Sequence, residues 1–208
     1  MRFPFFIVVV SLTAIGLAQE QVAEPAKWIP ARPDKIVFRS HGTAQILDDS
    51  SVQLGGDTRW QEFTLYFKFQ KPTQLQEIRV ELLPPTPSAD SSRLNQRKRL
   101  VLLDIKPQVE NRIDQMTSLQ FSSCVYLGNS EDESTANCID FLTDTGWTVP
   151  AFTKSVQSHQ LALRFEKAMT LDDKHRIALT FDSGGSPDLD VLSRLRVSFV
   201  ATNHTKVK

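Results

Sequence analysis

Cysteine, histidine clusters and net charge are the scarcities of this sequence, and each closes off a class of function. Among 208 residues there are 2 cysteines and no Cys-x-x-Cys. That excludes a disulfide scaffold, a four-cysteine zinc ribbon and a c-type haem attachment. The 4 histidines (His41, His159, His175 and His204) are scattered without His-x-His or His-Glu-x-x-His spacing, so no zinc-hydrolase pattern is present. No Gly-x-Ser-x-Gly elbow occurs. The acid runs Asp48-Asp49, Asp172-Asp173 and Glu131-Asp132-Glu133 sit in apparent turns, and nothing pairs them for glycosidase chemistry. Lys plus Arg and Asp plus Glu both number 24, so no basic field draws nucleic acid, and Arg97-Lys98-Arg99 is too brief to form one. Helical periodicity is missing too. Val109–Leu119 and Asp188–Leu192 offer at best single turns.

What is present is an apolar inventory large enough for a core: 40% hydrophobic residues, including 13 Phe. The length suits one domain. The one long apolar run is Phe3–Leu17, preceded by Arg2 and followed by Gly16-Leu17-Ala18, with small residues three and one positions before a cut after Ala18. This is the pattern of a secretory signal peptide, and about 15 apolar residues fall short of the roughly 20 a membrane span needs. Residues 1–18 therefore read as a signal peptide, residues 19–33 as an extended lead-in rich in proline, residues 34–203 as the folded domain and residues 204–208 as a tail. The chain is expected to be exported to the periplasm, cell surface or medium, with no membrane span once the signal is cut. In such an oxidising compartment Cys124 and Cys138 are expected to join as a disulfide across a polar, acidic loop.

Period-two alternation recurs along the folded part. Phe63, Leu65, Phe67 and Phe69 alternate with Thr64, Tyr66 and Lys68. The same rhythm covers Ile78–Leu82, Leu161–Phe165, Ile177–Phe181 and Leu195–Phe199. Shorter candidates are Ile36–Phe38, Ala44–Leu47, Leu100–Ile105, Leu119–Phe121 and Trp147–Val149. Eight or more strands, each with one apolar face and no amphipathic crossover helices, predict an all-β antiparallel two-sheet sandwich. The polar stretch 84–99 reads as a long connection within it.

The most specific segment is Cys138-Ile139-Asp140-Phe141-Leu142-Thr143-Asp144-Thr145-Gly146-Trp147. It resembles the A-x-D-G-x-x-x-T-x-W signature of discoidin-like, galactose-binding-like jelly-roll sandwiches. Leu47–Gly56, Ile78–Pro84 and Arg99–Ile105 resemble, in the same order, segments of the non-catalytic sandwich region of large secreted planctomycete proteins, many of which carry a cytochrome-c-like domain. The resemblance implies a galactose-binding-like fold and a structural calcium held by Asp140 and Thr145, since hard oxygens suit that ion. This chain carries Phe141 where the family has Gly, a costly exchange if the position needs positive φ.

Carbohydrate binding needs an exposed aromatic face with planar polar groups beside it. Trp60, with Arg59 and Asp57 next to it, and Trp28 are the candidate ligand-binding residues. Glu77, Arg79 and Glu81 share the non-core face of one strand and read as a solvated charge ladder. The expected function is an exported, non-enzymatic binding module for a glycan or cell-surface polymer. The alternatives are a structural or protein-interaction module assembling with secreted protein partners and, less favoured, a small secreted hydrolase. No cofactor is expected beyond the calcium that the resemblance implies.

Overall fold

The computed structural model describes residues 27–39, 42–55, 60–84, 99–111, 115–128, 133–142, 145–150, 152, 158–184 and 193–200. The expected signal peptide, most of the 84–99 connection and the tail lie outside these residues, as do Asp57 and Arg59. The strands are β1 (Trp28–Ala31), β2 (Lys35–Phe38), β3 (Thr43–Ile46), β4 (Val52–Gly55), β5 (Trp60–Lys68), β6 (Thr73–Leu82), β7 (Arg99–Glu110), β8 (Met116–Ser118), β9 (Phe121–Tyr126), β10 (Trp147–Pro150), β11 (His159–Leu171), β12 (Arg176–Gly184) and β13 (Arg194–Val200). A 3-10 turn spans Glu133–Cys138.

Two antiparallel sheets result. One runs β3-β4-β13-β6-β11-β9, with β1 also on β13; the other runs β10-β7-β12-β5-β2, with β8 also on β7. The pairs β4·β13, β5·β12, β6·β11 and β7·β10 are those of one long hairpin, with β4–β7 as one arm and β10–β13 as the other, rolled so that its successive pairs fall alternately in the two sheets. That is a jelly roll. Every strand of the two arms has one core-facing side, and the alternation says which. Phe63, Leu65 and Phe67 are 1% exposed, and Leu161, Leu163, Ile177, Leu179 and Phe181 are fully buried. The inner faces meet through ring contacts such as Phe67–Phe199, edge-on at 5.4 Å, while Phe63 and Phe181 stack at 5.3 Å as cross-strand neighbours within one sheet. The outer face of the second sheet is polar, with Thr64 and Thr180 hydrogen-bonded across strands at 2.8 Å.

Several segments depart from expectation. The described residues of Val109–Leu119 hold the end of β7 and all of β8 rather than a helical turn, because they pair across a ladder. Trp28–Ala31, in the expected lead-in, is a strand on β13. Val52–Gly55 is a strand although two glycines end it, since Val52 and Leu54 are both buried.

Truncating a core residue fixes the scale of this packing. Leu163→Ala is expected to cost about 2–5 kcal/mol, whereas Val37→Ala, at an exposed position, stays within about 0.5 kcal/mol. Denaturant titration of both variants against the parent checks the contrast.

Candidate functional site

The two ends of the roll differ. At one end the chain turns tightly through Phe69–Pro72 and Asp172–His175. Asp172 closes the second turn by accepting the Lys174 N–H at 2.9 Å and meeting His175 Nδ1 at 2.7 Å. At the other end the connections β4–β5, β6–β7, β10–β11 and β12–β13 start and finish together, as the pairings Trp60↔Gly184 and His159↔Leu82 require. Sandwiches place binding groups on connections of this kind.

The strand ends beneath those connections are unusually polar. Across the inner face of the second sheet, Gln61, Ser183, Leu102 and Trp147 stand in one row. Gln61 is 2% exposed and Ser183 and Trp147 are fully buried. Gln61 Oε1, Ser183 Oγ and Trp147 Nε1 have no hydrogen-bond partner among the described residues. From the facing sheet, Tyr126 Oη meets His159 Nδ1 at 3.1 Å. The rings of Tyr126 and Phe152 close around Trp147 and His159 at 5.2 to 6.4 Å.

On the outer face of the same strands a second row holds three acids. Glu62, Asp182 and Asp104 stand opposite one another across β5, β12 and β7. Asp182 and Asp104 are buried, and neither Asp104 oxygen nor Asp182 Oδ1 is hydrogen-bonded. Lys106 Nζ lies 3.3 Å from Asp104 Oδ2, an ion contact off the hydrogen-bond direction. Burial pushes the Asp104 carboxyl up, against the pull of Lys106. Burial likewise raises Asp182, and Glu62 and Asp104 add to the rise. Glu62 is partnered by Arg39 at 2.9 Å and Asp104 by the Lys106 charge, but buried polar atoms are nearly always hydrogen-bonded in proteins, so the atoms left without a hydrogen bond in the two rows mark a place with capacity to spare.

Trp60 opens β5 at this end. Trp28 does not join it. It pairs with Val200, on the other sheet and toward the tight-turn end. Of the expected ligand-binding set, Trp28 and Trp60 thus lie on different sheets and toward different ends, while Arg59 and Asp57 lie outside the described residues. Trp28 is half-buried under the Arg79 guanidinium, 5.3 Å from its ring centre. The charge ladder there is not solvated. Glu81 is 3% exposed and accepts from Arg196 Nε at 2.7 Å, and Asp49 accepts from Arg194 at 2.7 Å and from Arg196 at 3.4 Å. Burial pushes Asp49 up, but the Ser51 hydrogen bonds and the two arginines outweigh it and hold the carboxyl below its ordinary range. Alternation along one strand could not reveal this, because the partners come from β13 and the β3–β4 turn.

Asp140 and Thr145 do converge. Thr145 Oγ1 donates to Asp140 Oδ2 at 2.7 Å, and the Leu142 N–H donates to Oδ1 at 2.9 Å. Both carboxylate oxygens are thus engaged in the turn, and no group of three or more metal-type side chains exists among the described residues. Calcium takes six to eight oxygens, so these residues alone do not fit it, and the turn is organised by its own hydrogen bonds. Phe141 takes φ 62, so the position that carries Gly in the resembled signature does have positive φ here. Trp147 begins β10 in the core. Cys124 and Cys138 are free thiols with sulfurs 3.2 Å apart. The hydrogen bond to Cys124 and burial push the Cys138 thiol far up, which favours the protonated thiol.

No known family model matches the chain, and neither a curated protein nor a solved structure does. The fold and the site define an antiparallel all-β jelly-roll sandwich with a polar, connection-bearing end.

The acid row makes a signed prediction. An Asp raised by folding binds more protons in the native than in the unfolded state, so its contribution falls as pH rises through the window above the ordinary carboxylate range. Asp182→Asn is therefore expected to stabilise the protein near pH ~7 by roughly 0.5 kcal/mol, the scale of a like-charge cross-strand pair. The gain should fade toward pH ~3, below the ordinary carboxylate range, where both acids are largely protonated in either state. Urea denaturation at the two pH values checks it.

Proposed function

We propose that this protein is an exported, non-enzymatic binding module for a carbohydrate or cell-surface polymer, engaged at the connection-bearing end near Trp60. The observation that carries the reading is the row of Gln61, Ser183 and Trp147, buried and unpartnered under that end. A hydroxyl-rich ligand seated over that end reaches such enclosed groups through ordered water, which supplies the donors and acceptors they lack. The signal-like N-terminal sequence and the discoidin-like segment favour the same reading. A hydrolase is disfavoured by the chemistry at hand. Ser183 has no base hydrogen-bonded to it, and a nucleophile needs one. Asp104 and Asp182 are buried beside Lys106 rather than open to a substrate.

The alternative of a protein-interaction module has its own support in apolar side chains left outside. Val125 and Leu127 on and after edge strand β9 are 53% and 47% exposed, and Phe141 and Leu142 are 47% and 52% exposed. A partner covering them would bury the sheet edge as well.

A glycan and polysaccharide array probed with the purified protein, in calcium and in chelator, separates the two. The expected result is a neutral or acidic glycan hit that Trp60→Ala weakens at least tenfold while thermal unfolding is unchanged. Silence across the array, with pull-down of a secreted protein that Phe141→Ser abolishes, selects the interaction module.

Export also bears on the cysteines. With sulfurs in contact, Cys124 and Cys138 are expected to be oxidised in the exported protein, closing a loop worth about 3 kcal/mol. Intact mass before and after reduction reads the loss of two hydrogens, and reduction lowers the unfolding temperature.

A further inference from the structure

We infer that the tight-turn end carries a second binding site, a phenylalanine-floored cleft that takes a small amphipathic carboxylate. The cleft lies between β1, the end of β13 and the β5–β6 turn, and encloses about 570 Å³, within the range of small-molecule sites. Its floor is Phe67, Phe69 and Phe199, with Phe199 packed on both other rings at 5.4 Å. Ile29, 48% exposed, forms an apolar wall.

The rim is one-signed. Arg32, Lys68 and Lys71 line the cleft and, among the described residues, no acid does, in a chain whose charges balance overall. Lys68 has Asp34 at 3.7 Å and Arg32 donates to the Leu47 carbonyl at 3.0 Å, which leaves charge capacity in both. Lys71 has no ion-pair partner among the described residues. An apolar floor under a cationic rim selects a ligand with an apolar body and one anionic end. The body is buried by the rings and the anion is met at the rim, where water still reaches it, so neither group is desolvated without compensation.

This site is independent of the proposed glycan end, because it shares no residue with it and takes a different chemistry. The test titrates the purified protein with octanoate, decanoate, 1-octanol and octylammonium, with binding read by calorimetry and by NMR shifts. Octanoate is expected to bind saturably at one site, decanoate roughly tenfold tighter for its two further CH₂ groups, 1-octanol several-fold weaker, and octylammonium not measurably. Lys71→Glu should weaken octanoate about tenfold without touching 1-octanol. Ile29→Ser should weaken both. Each substitution is at an exposed position, so the fold survives it, and Trp60→Ala should change neither. Equal binding of octanoate and 1-octanol, indifference to Lys71→Glu and Ile29→Ser, or no saturable binding up to the solubility limit overturns the proposal.

Discussion

Each strand of this chain has only one apolar side, and that constraint governs the structure. A sheet made of such strands has one face that water rejects, and burial of that face is worth about 25 cal/mol per Å². With no amphipathic helix available to cover it, the only cover is another sheet. Pairing β4–β7 against β10–β13 as one rolled hairpin supplies both sheets from a single strand order and leaves the apolar sides of both facing inward. The pairing also fixes where the turns fall. Successive connections alternate between the two ends, so one end collects the tight turns and the other the longer connections.

From that division follows the different chemistry of the two ends. At the tight-turn end the backbone satisfies itself. The Asp172 turn closes on its own donors, and an opening lies between strands, over phenylalanine rings. At the other end the inward rows run out of apolar residues before the strands do. Gln61 follows the parity of Phe63, and Ser183 that of Phe181, so both polar side chains are delivered to the core side by the pleat itself. The outer row of Glu62, Asp182 and Asp104 is delivered by the same registration to the opposite face. One register thus places unpartnered groups on both faces of the same strand ends.

Period-two alternation made the sandwich legible, because the residues that signal a strand are those that bury it. Phe63–Phe69, Leu161–Phe165 and Ile177–Phe181 needed no context. Less visible were the elements whose stability is not local. β8 buries no residue and is held through its ladder with β7. β1 carries Pro30 and is held by β13. The candidate site was legible only at Trp60. The buried rows depend on which strand stands beside which, so Gln61 read as an ordinary residue next to Trp60, and Asp104 and Asp182 lie 78 positions apart in sequence while standing opposite each other in space. Trp28 shows the same dependence: its place in β1 beside β13 sets its ring under Arg79, which spacing along the sequence could not show.

The Asp140–Trp147 turn carries the argument one step further. A phenylalanine at φ 62 is strained, and strain at a solvent-facing position persists only if neighbours over-determine the backbone. Here they do. Asp140 clamps the Leu142 amide and the Thr145 hydroxyl on either side of the turn, while Cys138 before it and Trp147 after it are both fully buried. The anchors fix the path of the chain, and the left-handed residue follows from the path. Glycine would relieve the strain at no steric cost. Phe141 retains it and keeps a half-exposed ring beside Leu119 and Met169. Local stability is thus given up at a position whose ring stays about half exposed, next to the exposed Leu142.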